Sequence, residues 1–129
     1  MEKTVEIQVR FRDLDAYGHV NNAVYMSYLE TARVDMIHDL FMEDMAKNIQ
    51  YLLVSVKLDY MQPILLNDRV FVHCKFDEIG KVRFKVRYKV HNGEGKVFVE
   101  GYSEHALFNG NTKRPMRLPA EWKEKVAGN

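Results

Sequence analysis

Ten consecutive residues near the N-terminus carry most of the groups in this chain that could do chemistry. From Asp13 to Asn22 it reads Asp-Leu-Asp-Ala-Tyr-Gly-His-Val-Asn-Asn. Two carboxylates, an imidazole and two carboxamides therefore lie together, with one glycine among them. A carboxylate can activate water or attack an acyl carbon, and a fixed N–H can hold charge that develops on a carbonyl oxygen. Asp15 is the leading candidate for the first role. It stands seven positions before Asn22, on a loop that must fold back into a helix, which would bring its carboxylate close to first-turn N–H groups. Those groups lack intrahelical partners and sit at the positive end of the helix dipole. On its own residues Asp15 also reads as an ordinary turn or capping aspartate. His19, four residues on, suggests either a dyad with Asp15 or a ring that orients the loop by a hydrogen bond. Gly18 points to a backbone shape, or a close approach, that a Cβ would forbid. Asp13 reads as a structural carboxylate.

The elements that must position this loop follow from periodicity. Thr4 to Phe11 alternates, with Val5, Ile7, Val9 and Phe11 on one side, and predicts a half-buried strand. Asn21 or Asn22 can cap the next element. From Ala23 to about Met45, apolar residues recur near every 3.6 positions and predict one long helix that other structure covers. Tyr51–Met61 alternates and ends before Pro63. Further strands run from Val70 to Phe76 and from Val82 to Val90. Asn92-Gly93 marks a hairpin, and a last strand, bent near Gly101, runs from Lys96 to Phe108. The tail from Asn109 to Pro119 reads as turns, and Pro119 to Val126 as a short helix. Strand, loop, long helix and four antiparallel strands make an α+β layer arrangement, with the helix on the concave face of a five-stranded sheet. A sheet this small leaves open edges, which pairing of copies would cover.

Composition narrows the function. The 129 residues suit one domain spanning 1–129, and a net charge of +1 offers no field for nucleic acid or an anionic membrane. No apolar run approaches bilayer length, and the N-terminus is charged and alternating. The lone Cys74 cannot form an intramolecular disulfide. A cytoplasmic location is expected. The histidines His73, His91 and His105 fall on separate elements without ligand spacing, so no metal and no cofactor are expected.

The run Asp13 to Arg33 resembles the leading motif of hotdog-fold acyl-CoA thioesterases of the 4-hydroxybenzoyl-CoA thioesterase type. Asp15, Gly18, His19, Val20, Asn21 and Asn22 match it, as do Tyr25, Tyr28, Glu30, Ala32 and Arg33. Tyr60-x-x-Pro63, Asn67-Asp68, Lys113-Arg114-Pro115 and Leu118-Pro119 extend the match along nearly the whole chain. The resemblance implies a hotdog fold, assembly into a homodimer or homotetramer, and hydrolysis of an acyl-CoA, with acyl carrier protein a possible alternative thiol carrier. It implies Asp15 as general base or nucleophile and the Asn22 backbone N–H as the group that polarises the carbonyl. Glu30, three positions before Arg33, reads first as its ion-pair partner; because some members use a helix glutamate, the resemblance also makes it a reserve catalyst.

Tyr25 reads as core or as a substrate-binding wall. Arg83 and Arg87 belong to a basic strand face that is either solvated surface or a contact for coenzyme A phosphates. An enoyl-thioester hydratase on the same fold and a non-catalytic acyl-CoA-binding module are the rival readings.

Overall fold

The computed structural model describes residues 1–127. Six strands form one antiparallel sheet: β1 (Glu2–Ile7), β2 (Ile49–Tyr60), β3 (Val70–Ile79), β4 (Arg83–His91), β5 (Val97–Asn109) and β6 (Arg114–Met116). Their order is β1-β3-β4-β5-β2. Short β6 pairs with Leu107–Asn109 of β5, on the side that β4 leaves free after Ala106. The sheet packs around helix α1 (Tyr25–Met36), continued by α2 (His38–Ala46); α3 (Ala120–Ala127) ends the description. This is the expected α+β hotdog arrangement, with one more strand than the sequence suggested.

Alternation made the sheet. Val70, Val72, Cys74 and Phe76 of β3 and Phe84, Val86, Tyr88 and Val90 of β4 all point inward and are buried. They meet Tyr25, Tyr28, Leu29, Ala32 and Met36, which are spaced to fall on one face of α1. On β5, Gly101 lies so close to Leu58 and the Lys57 carbonyl that any Cβ would collide with backbone, which is why a glycine stands there.

Three expectations need correction. The helix is not continuous from Ala23 to Met45. Asn22–Val24 is a 3-10 turn, and the α-helix breaks at Ile37, which has φ −109° and ψ 20°. The first strand stops at Ile7, because its partner β3 begins at Val70 and the Ile7–Val70 pair is the last of the ladder. Phe11 therefore leaves the sheet and stands 81% exposed in a 3-10 turn. The tail expected to be turns contains β6, whose Pro115 is tolerated because β6 is an edge.

The free edge of β2 is long and apolar. Leu52, Leu53, Val54, Val56 and Tyr60 are all exposed along it, and a register shift falls between Leu53 and Ser55. No described helix is long and apolar enough to cross a membrane.

Candidate active site

The loop before α1 is built from its own polar groups. The Asp13 carboxylate accepts the Tyr28 hydroxyl at 2.7 Å and the Arg10 N–H at 3.0 Å, and its carbonyl accepts from Asn21 N–H at 2.8 Å. Asp13 thus staples the loop to α1, the structural role expected of it. Burial, and then the Asp13 hydrogen bond, hold the Tyr28 phenol above its ordinary value, so it stays a neutral donor.

Beyond Asp13 the chain makes a tight reversal. The Asp15 N–H donates to the His19 carbonyl at 2.8 Å, and the Gly18 N–H to the Asp15 carbonyl at 3.1 Å. Gly18 has φ +77° with open space where a Cβ would stand, so backbone shape, not close approach, calls for glycine there. Oδ1 of Asp15 accepts from the N–H of Tyr17 at 2.9 Å and of His19 at 3.3 Å. These two bonds fix the carboxylate's direction. Among the described residues its second oxygen has no partner.

The helix start is bared in the same place. Asn21 is the N-cap: its side-chain oxygen accepts from Ala23 N–H at 2.9 Å. Among the described residues the Asn22 N–H meets no acceptor, as expected for the first position of a helix. Val20 N–H donates to the Ile64 carbonyl at 2.9 Å and ties the loop to the β2–β3 connection. Tyr60, at the end of β2, donates its hydroxyl to the Asn22 carbonyl at 3.2 Å and meets the Tyr25 ring edge-on at 5.2 Å.

Asp15, His19, Asn22, Tyr25 and Tyr60 line one open cavity of about 360 Å³. A free carboxylate oxygen and a free helix-start amide around one space can hold a carbonyl and a water together, which is the requirement for acyl transfer to water.

A second cavity, of about 440 Å³, lies further along α1 between Glu30, Arg33 and Val34, Tyr51 and Leu53 of β2, and His105 of β5. Behind it runs a buried polar row. Arg33 Nη1 donates to the Tyr88 hydroxyl at 2.9 Å, that hydroxyl meets Ser103 Oγ at 2.6 Å, and Ser103 meets His105 Nε2 at 2.7 Å. Burial, with the Arg33 charge adding to it, pushes His105 down to about 3, so it is neutral.

A family model described as the thioesterase-like superfamily matches residues 9–126. The chain belongs to that superfamily. It is 30% identical to the long-chain acyl-CoA thioesterase FadM of Escherichia coli K12 over 124 residues, 94% of each chain. Among solved structures it resembles a thioesterase from Thermus thermophilus complexed with coenzyme A and Zn, at TM-score 0.85 and 32% identity over 97% of this chain and 92% of that one. It also resembles the probable thioesterase YbaW of Escherichia coli, at TM-score 0.87 and 28% identity over 95% of both chains. As a member of this superfamily the chain is a thioester hydrolase.

Five of the seven residues singled out in the sequence stand around the loop and the first cavity: Asp15, Gly18, His19, Asn22 and Tyr25. Arg83 and Arg87 do not. They project from β4 beside carboxylates, Arg83 at 3.8 Å from Glu104 and Arg87 at 2.5 Å from Asp77, away from the Asp15 cavity. Glu30 lines the second cavity instead of the first and is 4.0 Å from Arg33. Cys74 is buried, and desolvation pushes its thiol up to about 11, which removes it as a nucleophile. Among the described residues no three His, Cys, Asp or Glu side chains are grouped to hold a metal.

Two contributions escaped the sequence. Tyr60 belongs to a matched motif, but nothing in its spacing announces a bond to Asn22. Ser103 and His105 share an inward phase with Val99 and Leu107 on β5, and a polar pair at core positions was the signal that could have revealed the buried row.

Proposed function

We propose that this chain hydrolyses acyl-CoA thioesters at the cavity between Asp15 and the start of α1. The observation that carries this reading is that a carboxylate oxygen and a helix-start N–H, both without a partner among the described residues, belong to residues that line one open space. The thioester carbonyl oxygen accepts from the Asn22 N–H, whose fixed direction and helix dipole stabilise the oxyanion. Asp15 takes a proton from water as it attacks, or attacks the carbonyl carbon itself and yields the acyl group to water afterwards. Coenzyme A leaves as the thiol, and the acyl group as a free acid. His19 and Gly18 set the loop, and Tyr25 forms the wall. Superfamily membership and the coenzyme A bound by the Thermus relative support coenzyme A as thiol carrier. A cytoplasmic setting, with the buried Cys74 kept as a thiol, is part of the same reading.

Release of free thiol from a panel of short, long and aromatic acyl-CoAs is the expected result. Hydration of crotonyl-CoA without thiol release would favour a hydratase, and tight binding without either reaction would favour a binding module.

The same reading includes a homodimer, or a tetramer of such dimers, paired along β2. The exposed apolar edge there offers unpaired backbone groups to a second copy. Sedimentation should return a multiple of the 15.2 kDa chain mass, and Val56→Lys should lower it. A monomer at micromolar concentration would remove the dimer.

A further inference from the structure

The second cavity holds a cation that the protein does not complete. The Arg33 side chain is only 13% exposed. The one carboxylate within ion-pair range among the described residues is Glu30, 4.0 Å away and itself 70% exposed. Nη1 is used by the Tyr88 hydroxyl. Nε and Nη2 make no hydrogen bond among the described residues, where no fully buried side-chain nitrogen or oxygen lacks a partner; both atoms therefore keep some accessible surface, on a side chain that lines the cavity.

The groups behind Arg33 supply no charge. Tyr88, Ser103 and His105 satisfy one another in a row, burial holds the Tyr88 phenol above its ordinary value, and His105 is neutral. A guanidinium withdrawn from water beside neutral groups is costly unless an anion joins it. The rest of the wall includes Val34, Ile37 and Leu53, which suit a hydrocarbon chain.

Both cavities lie beside the same helix start and helix body, Tyr25 lining the first and Met26 the second. Arg33 follows Asn22 by eleven residues, roughly 16 Å at the helical rise. Both cavities are bounded by β2, through Tyr60 in the first and Tyr51 and Leu53 in the second. An acyl chain of about that length, with its carbonyl at Asn22 and lying along α1, would reach Arg33.

We propose that the second cavity receives the far end of the acyl group and that Arg33 selects chains ending in a carboxylate, held by Nε and Nη2 together. The inference rests on the thioesterase reading above. A carboxylate matches the two-donor guanidinium edge in charge and in shape, whereas a methyl end leaves the cation unpaired.

The test compares kcat/KM for coenzyme A thioesters of dicarboxylic acids with those of monocarboxylic and terminally hydroxylated acids of matched length. At the length that spans the two cavities, the carboxylate-ended thioester should be favoured over the methyl-ended one by roughly 10-fold or more, the size of a charge-assisted hydrogen bond. In Arg33→Met that ratio should fall to one or below. Arg33→Lys, which keeps the charge and loses the two-donor edge, should give an intermediate ratio. Preference for methyl or hydroxyl ends at every length would overturn the proposal, as would a carboxylate preference that survives in Arg33→Met. If Arg33→Met does not fold, the wild-type preference and the Arg33→Lys ratio decide. Absence of thiol release from every thioester would overturn the thioesterase reading and this selection with it; hydrolysis of methyl-ended chains alone overturns only the selection.

Discussion

Asp15→Asn should lower kcat by about 10²- to 10⁴-fold on every acyl-CoA that the wild type hydrolyses, the range for losing a positioned base. The substitution is close to isosteric, and the amide oxygen can still accept from Tyr17 and His19, the two N–H groups that bind Oδ1 now. The turn around Gly18 and the bared Asn22 amide should therefore persist. What disappears is the negative charge of a carboxylate that lines the cavity. KM should change little, because the carbonyl contact at Asn22 remains, so the loss should appear in kcat. Steady-state rates beside a thermal melt separate the two effects. A melting temperature near wild type with a collapsed rate is the expected pair. An unchanged rate would take Asp15 out of the mechanism, and a collapsed melt would make it a turn residue.

How far the sequence could be read depended on how local each determinant was. The loop was legible because its shape comes from neighbours: Asn21 caps Ala23, Asp15 binds Tyr17 and His19, and Gly18 supplies the positive φ. The inward faces of β3 and β4 were legible because a period of two admits one buried set. The helix break was not, since neither Gly nor Pro stands near Ile37. Its cause lies in the phase of burial. An unbroken continuation of the face that buries Tyr25, Leu29, Ala32 and Met36 would turn Asp39 and Glu43 toward the core. Breaking at Ile37 resets the phase, so that Ile37 and Leu40 go inward and Asp39 and Glu43 stay in solvent. The one carboxylate this brings in, Asp44, accepts the Tyr51 hydroxyl. The end of β1 was equally illegible. Val9 and Phe11 keep the strand's alternation, but β3 offers them no partner. The counter-charges of the basic β4 face are set by strand register and not by helical or turn neighbours: Glu104 of β5 stands near Arg83, and Glu78 and Asp77 of β3 stand near Lys85 and Arg87.

Trp122→Ala should lower stability by about 3–5 kcal/mol, the usual cost of removing a large buried aromatic side chain. Trp122 is 1% exposed and is the point at which α3 meets the sheet. Its ring lies 4.8 Å from Phe84, 5.6 Å from Phe76 and 6.4 Å from Tyr51, measured between centroids. The indole N–H also donates to the Tyr51 hydroxyl at 3.3 Å, and that hydroxyl donates on to Asp44. Truncation therefore opens a void among three rings and removes one bond from the group that keeps Asp44 satisfied. Trp122→Phe separates the two costs, because it keeps most of the packing and drops only the donor; it should cost about 1–2 kcal/mol. Urea unfolding should show a lower midpoint with an unchanged slope in both variants. The Lys125–Glu43 ion pair also holds α3, but it is exposed and contributes little, so it cannot make up for the lost ring. Since Tyr51 walls the second cavity while Asp15 and Asn22 lie at the other end of α1, activity on short acyl chains should survive below the new melting point. A loss under about 1 kcal/mol in Trp122→Ala, below the range for a buried aromatic, would mean that α3 closes nothing. An equal loss in the Phe variant would move the energy from the ring to the hydrogen bond.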